Sequence, residues 1–268
     1  MLLSLAGRRL YYDLVGPEDG PIVCITHSLA SDSGMWAEQM APLLQAGFRV
    51  LRVDMRGHGG SDPVAGDYTM KALAGDVAAI LDASLLLRVH YIGLSIGGMI
   101  GQAFAIEHGT RLISALWSDT LPASPAGAAA LWGERMNTVR RANSVEPLAD
   151  GTMDRWFTDA FKPRKPGRWK EIRDTIAATT PAGYLGCSAA IMNFDFTAQL
   201  PALRIPALVV CGADDPGTPA SENRRLAGLV PSGRYEEIAA ARHFPNVEHP
   251  AAFNRIMMGW LDAQRHAR

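Results

Sequence analysis

Val89-His90-Tyr91-Ile92-Gly93-Leu94-Ser95-Ile96-Gly97-Gly98 is the stretch on which the reading of this chain turns. It opens on a short apolar run, the pattern of a strand buried on both faces, and continues into helical spacing from Gly97 to His108. Gly93-Leu94-Ser95-Ile96-Gly97 is a GxSxG match set between that strand and that helix. A turn this tight holds its central residue in a strained backbone conformation. Glycine on either side removes the side chains that would collide across it. The Ser95 hydroxyl is then presented at a helix N-terminus, with the Ile96 N–H free to face a developing oxyanion. That is the equipment of a nucleophilic serine.

Working outward, Leu2–Leu5 and Arg8–Val15 flank Ala6-Gly7 as a β-hairpin, and Pro21–Thr26 and Phe48–Val53 read as strands. Trp36 to Gln45, ended by Gly47, and Met70 to Leu87 read as helices. Beyond the serine, Arg111 to Trp117 is a further strand. From about Leu121 to Phe196 one helical pattern follows another with no strand between them. Strands resume at Ile205–Cys211 and Arg234–Ile238, and a helix from about Glu248 to Gln264 closes the chain. Strands alternating with helices imply right-handed βαβ units and a mainly parallel sheet. The fold class is therefore α/β. The expected organisation is a core of residues 1–120 and 197–268 with a helical cap, 121–196, over the C-terminal edge of the sheet, where open α/β sheets bind ligands.

A serine nucleophile needs a base, and the base needs an orienting acid. His243 falls in the loop between the last strand and the last helix, where the base belongs; His249, beside Pro250, reads as a capping or solvated side chain, and His266 lies in the tail. The acid is expected after Ile205–Cys211. Asp215, three residues after Gly212, takes that place, with Asp214 and Asp119 as the alternatives. A second oxyanion donor is expected from His27-Ser28-Leu29-Ala30, with the Leu29 N–H the natural choice. Asp54–Ser61, which contains His58, reads as a hydrogen-bonded structural turn.

Bulk properties limit the other possibilities. The chain has 268 residues, 48% of them hydrophobic, and a formal net charge of −1. A chain of this size buries roughly three-quarters of its unfolded surface, so its core needs no metal or disulfide. No Lys/Arg block suggests a nucleic-acid or membrane partner, and no apolar run approaches the ~20 residues that span a bilayer. Cys24, Cys187 and Cys211 are odd in number and read as buried thiols. The N-terminus lacks the order of a signal peptide, so the expectation is a cytoplasmic protein without cofactor or metal. No motif bears on oligomeric state.

With these motifs in order, the chain resembles the α/β-hydrolases over essentially its whole length. Within them it is most similar to the 3-oxoadipate enol-lactonases. The resemblance rests on Ser28–Trp36, Asp54–Ser61, the turn at Ser95, Trp132-Gly133-Glu134-Arg135, Arg155–Phe161 and Gly183–Ile191. It implies hydrolysis of a small lactone bearing a carboxylate, with Trp36, Trp132 and Arg135 contacting the substrate. One departure stands out: Met192-Asn193-Phe194 occupies the place of an expected Arg-Asp pair, which implies a less polar substrate end. Alternative readings are another small-ester carboxylesterase, a C–C hydrolase, or a small-molecule receptor that retains the three residues.

Overall fold

The computed structural model describes residues 1–265, so His266 lies outside the described residues. Along the chain the elements are β1 (Leu2–Leu5), β2 (Arg8–Val15), β3 (Ile22–Thr26), α1 (Ala37–Gln45), β4 (Arg49–Val53), α2 (Met70–Ala83), β5 (Val89–Leu94), α3 (Ile96–His108) and β6 (Leu112–Ser118). Five helices follow: α4 (Ala128–Ala142), α5 (Ala149–Trp156), α6 (Phe161–Arg164), α7 (Pro166–Ala178) and α8 (Pro181–Met192). The chain then returns to the sheet with β7 (Ala207–Gly212), α9 (Ala220–Leu229), β8 (Gly233–Ile238), α10 (Pro245–Glu248) and α11 (Pro250–Gln264).

All eight strands form one sheet in the order β1-β2-β4-β3-β5-β6-β7-β8. The hairpin is antiparallel, and β2 joins β4 antiparallel; every later pairing is parallel. Every residue of β5 and of β7 is buried. That explains why both read as unbroken apolar runs, since helices cover both faces of a parallel sheet. Strand bounds move by a residue or so, and the helix expected over Met70–Leu87 ends at Ala83. The closing helix is split at His249, because Pro250 disfavours a helical conformation in the residue before it. Helix α9 was not anticipated: Ala-Ser-Glu-Asn-Arg-Arg-Leu-Ala-Gly-Leu offers few apolar residues to mark a face.

The helical insertion leaves the sheet after β6 and returns before β7, which are neighbours. Its two ends pair with each other. Ser124 N–H donates to Phe194 O at 2.9 Å and Phe196 N–H to Pro122 O at 2.9 Å, around a bridge between Ala123 and Asp195.

Two buried histidines organise the loops after β3 and β4. His27 Nε2 accepts from Met55 N–H at 2.9 Å, and His58 Nε2 accepts from Ala30 N–H at 3.1 Å. Each ring therefore carries its proton on Nδ1, which donates to Ser28 O and to Arg56 O respectively. The His58 bond holds Ala30 at a φ of 58°, a left-handed conformation that side chains rarely adopt. The sequence reading of His58 as a structural group agrees with this geometry. Burial lowers His27 to about 4, and burial together with the His27 charge lowers His58 to about 3.

Two outcomes are expected. Unfolding exposes both histidines, which then bind protons near their ordinary value of 6.5. Stability should therefore fall as pH drops below about 6.5, by up to about 1.4 kcal/mol per pH unit for each ring, and level off only past the folded values. Denaturant midpoints between pH 7 and 4.5 measure this slope, and His58→Gln should flatten it. Separately, an added Cβ at Gly97 would lie 2.6 Å from Thr26 O and 2.8 Å from His27 O. Gly97→Ala should cost about 3 kcal/mol, read as a lowered denaturant midpoint, because both obstacles are backbone.

Candidate active site

Ser95 sits between β5 and α3 with φ 59° and ψ −121°, outside the regions that L-residues prefer. Three contacts hold it there. Its N–H donates to Ser118 O at 2.8 Å, and its carbonyl accepts from Thr120 Oγ1 at 2.8 Å and from Met99 N–H at 3.1 Å. A Cβ on Gly93 would lie 2.2 Å from Gly97 O, so the turn closes only with glycine at that position. Ile96 is the first residue of α3, and its N–H has no intrahelical carbonyl to bond.

His243 and Asp215 meet beside this turn. His243 Nδ1 donates to Asp215 Oδ2 at 2.7 Å, so Nε2 is the ring nitrogen not engaged by the carboxylate. Asp215 is buried, and its other donors are Gly217 N–H, at 2.8 Å to Oδ1, and the Thr218 hydroxyl, to Oδ2. Burial opposes its ionisation. The charge and hydrogen bond of His243, with those two donors, nevertheless hold the carboxyl below its ordinary value.

The alternative acids are placed differently. Asp214 is exposed, and its N–H donates to Ala241 O at 2.9 Å. Asp119 is fully buried at a φ of 46°, and it accepts from Gly212 N–H at 2.8 Å and from the Ser118 hydroxyl at 2.6 Å. Burial, reinforced by the Asp215 charge, raises Asp119 well above the usual carboxylate range. Two carboxyls in one buried site cannot both ionise cheaply, and the geometry leaves the charge on Asp215. His249 donates to Ala240 O at 2.8 Å, well apart from this arrangement.

A cavity of about 220 Å³ opens onto these groups, lined by Ser28, Leu29, Ser95, Asp215 and His243 from the sheet side. The helical insertion supplies the opposite wall, including Trp132, Arg135, Arg155, Trp156, Tyr184 and Ile191. Arg135 lies over the Trp132 ring at 4.9 Å, and Arg155 donates to Thr152 Oγ1 at 2.8 Å. Burial, with the neighbouring Arg135 charge, lowers Arg155 to about 10, so it stays a cation at neutral pH. Among the described residues neither arginine forms an ion pair.

Two expectations are corrected. Trp36 is fully buried, packs on Phe253 at 6.0 Å and does not line the cavity; as an inward residue at the start of the first helix it serves the core. Phe194 also misses the cavity, packing on Phe196 at 5.3 Å, while Ile191 one turn earlier reaches it. Polar character in the cavity wall comes from Arg135 and Arg155. Arg155 lies in one of the segments that carry the family resemblance, and its place in the cavity gives it a role that the resemblance does not. The signal was there: Thr152, Arg155 and Trp156 lie three and four residues apart, on one face of α5.

Asp119, Asp215 and His243 place donor atoms within 4.8 Å of one another. The raised Asp119 and the direct Asp215–His243 hydrogen bond fit a proton-holding cluster better than a cation site.

Known proteins share this arrangement of the chain. The 3-oxoadipate enol-lactonase 2 of Acinetobacter baylyi is 33% identical over 255 residues, covering 95% of this chain and 94% of that protein. The enol-lactonase from Burkholderia xenovorans LB400 superposes with a TM-score of 0.93 at 33% identity, covering 98% of this chain and all (100%) of that one. A malate-bound thermophilic esterase from Thermogutta terrifontis gives 0.89 at 28% identity, covering 96% and 94%. A family profile for the alpha/beta hydrolase fold matches residues 21–250, and with the sheet order and the turn at Ser95 this makes the chain a member of the α/β-hydrolase fold family.

Proposed function

We propose that this protein hydrolyses a small lactone or carboxylic ester carrying a carboxylate, through an acyl-enzyme on Ser95. The observation that carries the reading is one cavity holding Ser95, a His243 already bonded to Asp215, and two arginines without an acidic partner. His243 Nε2 accepts the proton of the Ser95 hydroxyl as its oxygen attacks the carbonyl. Asp215 keeps the Nδ1–H tautomer and stabilises the imidazolium. The N–H groups of Leu29 and Ile96 face the developing oxyanion, a contribution worth about 10²–10³ in rate per donor. His243 then returns the proton to the leaving oxygen, and water resolves the acyl-enzyme by the same route.

Arg135 and Arg155 give the substrate its orientation. Arg155, desolvated and beside the Arg135 charge, is poorly placed alone, and a carboxylate with two oxygens can pair with both guanidinium groups. Trp132 supplies a flat apolar wall. The small cavity volume suits a compact substrate, since drug-sized ligands fill roughly 300–1,000 Å³. The enol-lactonase relatives and the malate-bound esterase support this class without naming the compound. Residues 121–196 serve as the cap over the core of 1–120 and 197–268.

A fluorophosphonate probe should label Ser95, and Ser95→Ala should abolish both labelling and turnover. Asp215→Asn should lower kcat by about 10⁴, because the amide favours the wrong imidazole tautomer. Asp119→Asn, which replaces a neutral acid by a neutral amide, should stay within about tenfold of the parent. Reversal of those two effects would move the acid to Asp119. Arg155→Ala should raise KM about tenfold or more for a carboxylate-bearing lactone while sparing a neutral ester. Equal effects on both substrates would remove the anionic-substrate reading.

A further inference from the structure

The loop that carries His243 is bonded on both sides to the helical insertion rather than only to the sheet it leaves. Glu248, the last residue of α10, is buried, and its carboxylate is the centre of the junction. Oε1 accepts from Thr158 N–H at 3.0 Å and from the Thr158 hydroxyl, and Oε2 accepts from Arg242 N–H at 3.1 Å. Thr158 belongs to the insertion, two residues past α5, and Arg242 directly precedes His243.

The neighbours of His243 repeat the connection. The Arg242 guanidinium donates to Asp154 O at 2.6 Å and to Phe157 O at 2.9 Å, both at the end of α5. On the other side, Phe244 N–H donates to Trp156 O at 3.2 Å, and the two rings stack at 4.0 Å. Arg164 in α6 adds a bond to the Glu248 carbonyl at 2.8 Å. Residues 154–158 thus grip both flanks of the imidazole and also line the cavity through Trp156.

We propose that Glu248 is a positioning residue that sets His243 by tying residues 154–158 of the insertion to the histidine loop; this rests on the reading of His243 as the base. A buried carboxylate that accepts three hydrogen bonds is a strong and directional junction. Removing its charge leaves donors facing an amide that can accept fewer of them. The imidazole then loses one flank of its support while Asp215, Ser95 and the α4 and α8 parts of the cavity wall stay in place. Such a loss falls on the chemical step, because small misplacements of a proton-transfer group weigh heavily on rate.

The test is Glu248→Gln in the full chain, with Thr158→Val beside it. Glu248→Gln should lower kcat by about tenfold or more and leave KM within about twofold. The low-field proton resonance of His243 Nδ1–H should broaden or shift in parallel. Thr158→Val, which deletes one donor and keeps the carboxylate, should move both readouts in the same direction by less. If Glu248→Gln does not fold, Thr158→Val decides. An unchanged resonance with unchanged kcat in the folded variant overturns the proposal, as does a rise in KM at constant kcat. The resonance reports the ring whether or not Ser95 turns over an ester. A wild-type protein with the low-field signal but no Ser95 labelling therefore counts against the hydrolase reading, while a resonance that moves in Glu248→Gln still upholds the junction.

Discussion

At Ser95 the chain holds φ at 59° and ψ at −121°, a conformation with an intrinsic cost of about 1–3 kcal/mol. It persists because the surroundings over-determine it. The Ser118 carbonyl from β6 takes the Ser95 N–H, the Thr120 hydroxyl takes its carbonyl, and Gly93 and Gly97 leave the room that any Cβ would fill. The strain is thus shared among three strands: β5 carries it, β3 crowds it through Thr26, and β6 anchors it. The same packing that makes the sheet stable holds a hydroxyl at the mouth of α3.

Electrostatics at the site follow from how many charges the buried space admits. Asp119 and Asp215 leave the ends of adjacent strands and converge near His243. Asp215 gathers donors and an imidazole, so its charge is compensated; Asp119 has two donors and no cation, so its proton stays. Two acids of the same type are set to different protonation states by their hydrogen bonds. On the far wall the imbalance is reversed, with burial and the nearby Arg135 charge both disfavouring the charge on Arg155. A cavity with one committed anion below and two cations above is polarised before anything binds.

Much of this was legible in the residues. β5 and β7 were readable because strands buried on both faces are unbroken apolar runs, and the serine turn because its glycines are sterically required. Asp215 and His243 are candidates by their order after the serine, and the fold brings them within hydrogen-bond distance of each other. Asp119 and Asp214, secondary candidates by position, differ sharply in three dimensions, since exposure and donor count are not properties of position along a chain. Trp36 was misread because an aromatic residue near the oxyanion loop looks the same in sequence whether its ring faces the cavity or Phe253. Arg155 carries no sequence signal of a paired cation because its neighbour on the same wall, Arg135, is twenty residues away and on a different helix. Glu248 has no sequence signal; its importance lies in contacts to Thr158, 90 positions earlier.

The paired ends of the insertion, where Ser124 N–H donates to Phe194 O and Phe196 N–H to Pro122 O around the Ala123–Asp195 bridge, give the fold a narrow neck. A segment whose ends already touch closes its loop locally, and its interior length then enters stability only logarithmically. Helix α4, which brings Trp132 and Arg135 to the cavity, can therefore be exchanged or resized with little disturbance to the sheet, whereas α8 is tied to the loop after β4 by Thr180, whose N–H and hydroxyl donate to Gly57 O. The end of α5 lacks that freedom, because it is fastened to the histidine loop as well. Divergence toward new substrates has one compliant wall to work with, and one that it can alter only by disturbing the chemistry.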